Sequence, residues 1–173
     1  LDDFIFASQS VQAEAMKYFI EMWRGNKFAP KSGIIRWNVR DGWPIISDAV
    51  VDYYNSPKMA YYFIRNVQKD VCVMINDAID GSYPLVAVND TPMPVKGNVT
   101  VTDVESGKKI WEGDYSIGKN GRQVMAMLPE MAGQGILLIK YETPAGTQYN
   151  HYLYGEAPFD LKWYKKQHKK TQI

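Results

Sequence analysis

The residues of this chain that are best suited to binding chemistry lie in one short stretch, residues 33–44, which reads GIIRWNVRDGWP. Trp37 and Trp43 offer flat apolar faces, which suit the C–H faces of a sugar ring. Asn38 and Asp41 offer hydrogen-bond donors and acceptors for sugar hydroxyls. These four side chains therefore form a candidate sugar-binding site.

An alternative interpretation leaves the same stretch without a ligand. In it, Trp37 and Trp43 are core residues, and Asp41 forms a surface ion pair with Arg36 or Arg40. The spacing of the residues does not separate the two interpretations.

The first part of the chain alternates between helical and strand patterns. Residues 8–24 place apolar side chains on one helical face, and residues 33–38 have the composition of a buried strand. Residues 56–67 predict a second helix, with Ser56 as its cap and Pro57 in its first position. A single strand cannot form a sheet, so residues 1–69 are expected to be a fragment of an α/β fold.

From residue 70 onward the pattern becomes that of a β protein. Short apolar or alternating runs are separated by turn signals such as Asn120-Gly121. The predicted strands are 71–75, 85–89, 98–104, 109–116, 122–128, 135–141 and 148–154. Their number and spacing predict an immunoglobulin-like antiparallel β-sandwich over residues 70–155. Residues 156–173 contain a run of lysines and are expected to form a basic, solvated tail.

The bulk composition narrows the class of protein. Of the 173 residues, 46% are hydrophobic and 23% are charged, which is ordinary for a globular chain. The formal net charge of +1 gives no electrostatic basis for binding nucleic acid or a membrane. Cys72 is the single cysteine, so an internal disulfide is excluded. The chain opens on Leu1, which predicts an origin inside a longer gene product; its compartment is left open, with a periplasmic or secreted location favoured for a bacterial source.

Residues 37–65, WNVRDGWPIISDAVVDYYNSPKMAYYFIR, resemble the end of the catalytic barrel in glycoside hydrolase family 2, most of all in its β-mannosidase branch. The positions that match are Trp37, Asp41, Trp43, Pro44, Ser47, Val51, Asp52, Tyr53, Tyr54, Pro57, Lys58, Ala60, Tyr61 and Tyr62. Upstream, SQSVQAEAMKYFIE resembles the helix before the last barrel strand. Asn38, Arg40 and Asp48 differ from the residues that are common in the family, which leaves the sugar specificity open.

The resemblance implies a fold and a role. The expected fold is mainly β: an immunoglobulin-like sandwich preceded by the last part of a (β/α)₈ barrel, whose chemistry lies at the C-terminal ends of the strands. Trp37, Asn38, Asp41 and Trp43 are then one wall of a site for a β-linked glycoside, with mannoside as the expected substrate. The expected partner is the rest of the catalytic barrel, upstream of this chain.

The catalytic residues themselves are expected elsewhere. Retaining glycosidases need two carboxyl groups about 5–5.5 Å apart, and the resemblance places both on earlier barrel strands. Here Asp41 is the one carboxylate near a predicted strand end. We therefore expect the isolated chain to be inactive. His151 and His168 are expected to be an exposed strand residue and a tail residue, so neither a metal site nor any cofactor is predicted.

Two further classes of function stay open at this point. The sandwich could bind carbohydrate by itself, with exposed aromatics such as Trp111, Tyr115, Tyr149 and Tyr152 as the platform. It could also be a structural module without a ligand, which braces a neighbouring domain.

Overall fold

The structure is a computed structural model, which describes residues 1–29 and 33–171. The chain forms two units, Leu1–Gln68 and Lys69–Ile173. Within the described residues, no helix is both long enough and apolar enough to span a membrane.

The first unit is built from two helices. Helix α1 spans Asp2–Gly25 and helix α2 spans Met59–Val67. Two acidic residues in the first turn of α1 and Arg24 in its last turn complement the helix dipole. Arg24 also donates a hydrogen bond to the carbonyl oxygen of Val67 at the end of α2. The predicted first helix is thus present, and it begins six residues earlier than the predicted start at residue 8.

The start of α2 differs from its prediction. Ser56 and Pro57 do not begin the helix, because Pro57 pairs with Val51 in an isolated antiparallel bridge. The helix begins at Met59, whose backbone N–H donates to Gln9 Oε1 on α1 at 2.9 Å. A side chain distant in sequence therefore caps this helix, in place of the local cap that the sequence suggested.

The predicted strand at residues 33–38 is wrong. Residues 33–36 have no regular secondary structure, and no ladder forms in the described part of residues 26–58. Isolated bridges join Val51 to Arg40 in parallel and to Pro57 in antiparallel orientation. The physical reason is that a strand must pair its backbone groups with a neighbour, and the first unit offers no sheet.

The second unit is a sandwich of two antiparallel sheets, which confirms the predicted mainly β fold with a sandwich. Its strands are β1 Val71–Ile75, β2 Tyr83–Asn89, β3 Val95–Asp103, β4 Lys109–Ile117, β5 Arg122–Leu128, β6 Gly135–Thr143 and β7 Gly146–Tyr154. One sheet has the order β1-β2-β5 and the other β4-β3-β6-β7. Alternate side chains from both sheets, such as Val73, Val99 and Ile139, fill the core between them.

Two polar side chains link the sheets along β1. Asn150 Nδ2 on β7 donates to the carbonyl oxygen of Val73 at 2.8 Å, and the Tyr141 hydroxyl on β6 donates to that of Val71 at 3.4 Å. Strand β1 is an edge strand, so these carbonyls have no partner from a neighbouring strand. Side chains of the opposite sheet therefore provide hydrogen-bond donors for these two carbonyls of the edge strand.

The segment expected as a solvated tail contains a third helix, α3, over Leu161–His168. The Asp160 carboxylate caps it by accepting from the backbone N–H of Trp163 at 2.7 Å. Tyr164 and Gln167 are buried. His151 is buried as well, and its ring lies 6.3 Å from that of His168. The prediction of an exposed His151 is therefore wrong, and the segment predicted as a solvated tail keeps most of its lysines exposed but contains a helix.

Candidate sugar-binding site

The two tryptophans of the candidate site face solvent within this chain. Trp37 is 83% exposed and Trp43 is 66% exposed. The interpretation that both are core residues therefore does not hold for this unit. Two large aromatic side chains are therefore exposed six positions apart on one short segment.

Arg36 and Asn38 flank Trp37, and both are less exposed than Trp37. The peptide bond between Trp37 and Asn38 is cis. Asn38 Oδ1 and Arg36 Nε are buried and have no hydrogen-bond partner among the residues that the structure describes. Burial lowers the pKa of Arg36, an effect that the nearby charge of Asp48 opposes.

Asp41 is held in place by two side chains. It is 4% exposed. Its Oδ1 accepts a hydrogen bond from the Ser47 hydroxyl, and its Oδ2 accepts from Lys58 Nζ at 3.1 Å. The hydrogen bond from Ser47 is the main cause that lowers the pKa of Asp41, and Lys58 adds to it. Asp41 is therefore an ionised carboxylate at neutral pH and cannot donate a proton.

The arginines next to Asp41 have other partners. Arg40 donates to the backbone carbonyl of Tyr53 at 3.0 Å, and Arg36 donates to that of Asp48 at 2.7 Å. The alternative in which Asp41 pairs with either arginine on the surface is thus wrong, because the partner is Lys58. The negative charge of Asp41 is therefore paired with Lys58 within the first unit.

Backbone hydrogen bonds close the segment that carries Trp43. The N–H of Asp41 donates to the carbonyl of Val51 at 3.1 Å, and the N–H of Val51 donates to that of Val39 at 3.0 Å. The N–H of Lys58 donates to the carbonyl oxygen of Val50 at 2.8 Å. Residues 42–50 therefore form a loop with paired ends, and the contacts of Asp41 with Ser47 and Lys58 fix its interior. We call residues 42–50 the tryptophan loop.

Ser47 and Lys58 were not among the predicted site residues. Both lie in the segment that resembles the glycosidase family. Their role depends on contacts with Asp41, which is six positions from Ser47 and 17 positions from Lys58 in the sequence. The available signal was the carboxylate itself, because an aspartate inside a Trp- and Ile-rich segment needs a cation and a donor when it is buried.

The structure also shows the role of Asp52, and it shows no candidate metal site among the described residues. Asp52 Oδ1 accepts from the backbone N–H of Ser56 at 2.7 Å, so this carboxylate stabilises a turn. No group of three or more His, Cys, Asp or Glu side chains that could hold a metal ion occurs in the described residues.

Three of the four aromatic residues considered as a platform are buried or pack against the sandwich core. Tyr115 is 3% exposed, and its hydroxyl donates to the carbonyl oxygen of Glu142 at 2.6 Å. Trp111 and Tyr152 are partly buried and pack against the sandwich core. Carbohydrate binding by these residues would require them to leave the core, which disfavours that alternative.

Comparison with known proteins finds that the chain is similar to parts of several β-mannosidases. No protein-family model matches it. Beta-mannosidase B of Aspergillus niger is 32% identical over 128 residues, which cover 65% of this chain and 15% of that protein. Beta-mannosidase B of Aspergillus flavus is 36% identical over 75 residues, or 42% of this chain and 9% of that protein. The crystal structure of a β-D-mannosidase from Dictyoglomus thermophilum matches with a TM-score of 0.76 and 27% identity, over 89% of this chain and 20% of that one.

The chain resembles the β-mannosidases of glycoside hydrolase family 2. The resemblance stated from its sequence is thereby confirmed. An exo-chitosanase from Amycolatopsis orientalis, at 17% identity and a TM-score of 0.68 over 91% of this chain and 20% of that one, shares the fold. This β-mannosidase-like chain spans 15% of the Aspergillus niger protein and 20% of the Dictyoglomus thermophilum protein. It therefore corresponds to a fragment of a glycoside hydrolase.

Proposed function

We propose that this chain supplies one wall of the sugar-binding site of a β-mannosidase-like glycoside hydrolase. Trp37 and Trp43 provide the apolar faces, and Asn38 provides a hydrogen-bonding group between them. The proposed substrate is a terminal β-linked mannoside. The observation that carries the proposal is the exposure of both tryptophans on a segment that hydrogen bonds and a buried ion pair hold in place.

Other exposed apolar side chains support the proposal that a further part of the protein packs next to this wall. Ile35, Val39 and Ile46 are each well exposed, and Ile46 is 94% exposed. These residues lie within twelve positions of one another, next to the two tryptophans. Such concentrated apolar exposure is typical of a surface that packs against another protein part or binds a ligand. We propose that the partner is the rest of the catalytic barrel.

Asp41 has a positioning role in this proposal. Both of its oxygens are engaged by Ser47 and Lys58, and its lowered pKa keeps it ionised. It is therefore suited neither to protonating a leaving group nor to attacking a sugar carbon. We propose that the catalytic carboxylates belong to other strands of the barrel, and that this chain alone hydrolyses no glycoside.

The test uses the isolated chain and a chimera. In the chimera, this chain replaces the matching fifth of the Dictyoglomus thermophilum β-D-mannosidase. We expect the isolated chain to leave 4-nitrophenyl β-mannoside unchanged and the folded chimera to hydrolyse it. Turnover by the isolated chain that disappears in Asp41→Ala would contradict the proposal, because it would place a catalytic carboxylate within this chain.

A further inference from the structure

The turn between strands β4 and β5 contains the dipeptide Asn120-Gly121. None of the other eight asparagines in the sequence precedes a glycine. Asn120 is exposed, and its φ of 45° lies in the left-handed region, which asparagine adopts more readily than most residues. The side-chain amide of Asn120 is therefore at the surface, directly before a residue that has no side chain.

An asparagine is chemically labile because its side chain can react with the backbone of the next residue. The backbone nitrogen of that residue attacks the side-chain amide carbon. A new C–N bond forms, the bond from this carbon to the amide nitrogen breaks, and ammonia leaves with the proton of the attacking nitrogen. Water then opens the cyclic imide at either carbonyl, which gives aspartate or isoaspartate. No electrons are transferred, and water is the co-reactant.

The residue after the asparagine decides how easily its backbone nitrogen reaches the amide carbon. Gly121 presents no Cβ to hinder this approach and restricts the backbone least. Asn98 is exposed as well, but Val99 follows it, and a branched side chain hinders the attack. Both residues also lie within strand β3, which is paired with β4 and β6. The local structure therefore favours the reaction at Asn120 over Asn98.

Asn55 is the closest structural counterpart of Asn120 in this chain. It is exposed, its φ is 68°, and a small residue, Ser56, follows it. The backbone N–H of Ser56, however, donates to Asp52 Oδ1 at 2.7 Å. This hydrogen bond directs the nitrogen that would have to attack Asn55 toward a carboxylate, whose negative charge opposes loss of the proton. Asn55 is therefore expected to be protected.

Backbone hydrogen bonds link the β4–β5 turn to the end of β2 and the loop that follows it. The N–H of Asn120 donates to the carbonyl oxygen of Thr91 at 2.8 Å, and the N–H of Asn89 donates to that of Gly121 at 2.9 Å. The buried Asn89 side chain also donates, from Nδ2, to the carbonyl oxygen of Gly118 at 2.9 Å. Isoaspartate would insert one more carbon into the backbone between the first two contacts.

We propose that Asn120 is a site of spontaneous deamidation, and that formation of isoaspartate there loosens the β4–β5 turn. The longer backbone cannot keep both the Thr91 and the Gly121 hydrogen bonds at their present geometry. The buried N–H of Asn89 then loses the Gly121 carbonyl as its acceptor, which destabilises the second unit because a buried donor without an acceptor is unfavourable. The reaction needs neither a substrate nor a partner protein, so it is tested independently of the proposed function.

The test follows deamidation in the folded, full chain by mass spectrometry of its peptides. Incubation in warm, mildly alkaline buffer speeds the reaction, because the attacking nitrogen must lose its proton. We expect Asn120 to be converted at least about tenfold faster than Asn55 or Asn98, which corresponds to about 1.4 kcal/mol in activation free energy. Part of the product should be isoaspartate. The isoaspartate form, separated by ion exchange, should melt at least about 4 °C below the fresh chain.

Two variants at this position separate the backbone change from the change in charge. Asn120→Gly suits a positive φ but has no amide, so its melting temperature should stay constant during the same incubation. Freshly prepared Asn120→Asp carries the negative charge on an unaltered backbone and should melt closer to the unchanged chain than to the isoaspartate form. Conversion of Asn120 no faster than that of Asn55 or Asn98 would overturn the proposal. An isoaspartate form that melts like the fresh chain, or an equal loss of stability in Asn120→Gly, would also overturn it.

Discussion

Substituting Trp37 and Trp111 in parallel separates a binding role from a packing role. Trp37 is 83% exposed, so less than a fifth of its side chain is covered within this chain. A tryptophan buries up to about 250 Å², and at about 25 cal/mol per Å² the covered part contributes about 1 kcal/mol. Trp37→Ala should therefore lower the melting temperature of the chain by only a few degrees.

Trp111→Ala should act on stability instead. Its ring is partly buried against the sandwich core, and Gly113 leaves the space in which the ring lies. Truncating a fully buried tryptophan costs about 3–5 kcal/mol, so a half-buried ring is worth about 2 kcal/mol. For a unit of this size, each kcal/mol shifts the melting temperature by about 4–8 °C. We expect a decrease of roughly 8–16 °C in the second unit.

Kinetics in the chimera complete the comparison. An aromatic contact with a sugar contributes on the order of 0.5–1.5 kcal/mol beyond the buried area, and part of it can tighten in the transition state. Trp37→Ala should therefore lower kcat/KM for 4-nitrophenyl β-mannoside at least about tenfold, while Trp111→Ala leaves it nearly unchanged at temperatures where the protein is folded. If Trp37→Ala unfolds the chain and Trp111→Ala abolishes turnover, the roles of the two units are reversed.

Two further predictions concern polar contacts. Because the pKa of Asp41 is lowered in the folded chain, the stabilisation from its contacts with Ser47 and Lys58 is complete above the ordinary pKa of 3.8 and is lost as the pH falls from 3.8 through the lowered pKa of the folded chain. Limited proteolysis with an acid protease should detect opening of the tryptophan loop below pH 3.8, and Lys58→Met should open it already at neutral pH. Burial raises the pKa of Tyr115 to about 12, so stability should fall between its ordinary value of 10.0 and 12 in a thermal-melt series, and Tyr115→Phe should lack this alkaline loss.

The sandwich could be predicted closely because its signals are local. Strands β1 and β5 have the predicted ends, and β2, β4, β6 and β7 are longer than predicted by one or two residues. Strand β3 begins three residues earlier and ends one residue earlier than predicted. Turn residues at positive φ, such as Asn120 and Gly107, mark where the chain reverses. Alternation of apolar and polar side chains then sets which face of each strand is buried.

The errors share one cause, which is contact between segments that are distant in sequence. Ser56-Pro57 is a good local helix start, but pairing with Val51 and a cap from Gln9 move the start to Met59. His151 was expected on an open face of β7, but residues of α3 cover it. Spacing along one element does not contain this information.

The candidate site depends both on local sequence signals and on contacts between distant residues. Trp37, Asn38, Asp41 and Trp43 were selected by residue type, and their roles stay a prediction. What the sequence did not predict is that the carboxylate of Asp41 is used to hold the loop.

The use of Asp41 explains why this segment mixes aromatic and charged residues. A rigid wall of exposed aromatic rings is unstable by itself, because water does not hold apolar side chains in one orientation. A buried carboxylate with donors from Ser47 and Lys58 supplies directional contacts that fix the tryptophan loop from behind. The same contacts keep Asp41 ionised and engaged, which removes it from acid–base chemistry. Because Asp41 is engaged in this way, our proposal assigns this chain one wall of a sugar-binding site and assigns the catalytic carboxylates to other strands of the barrel.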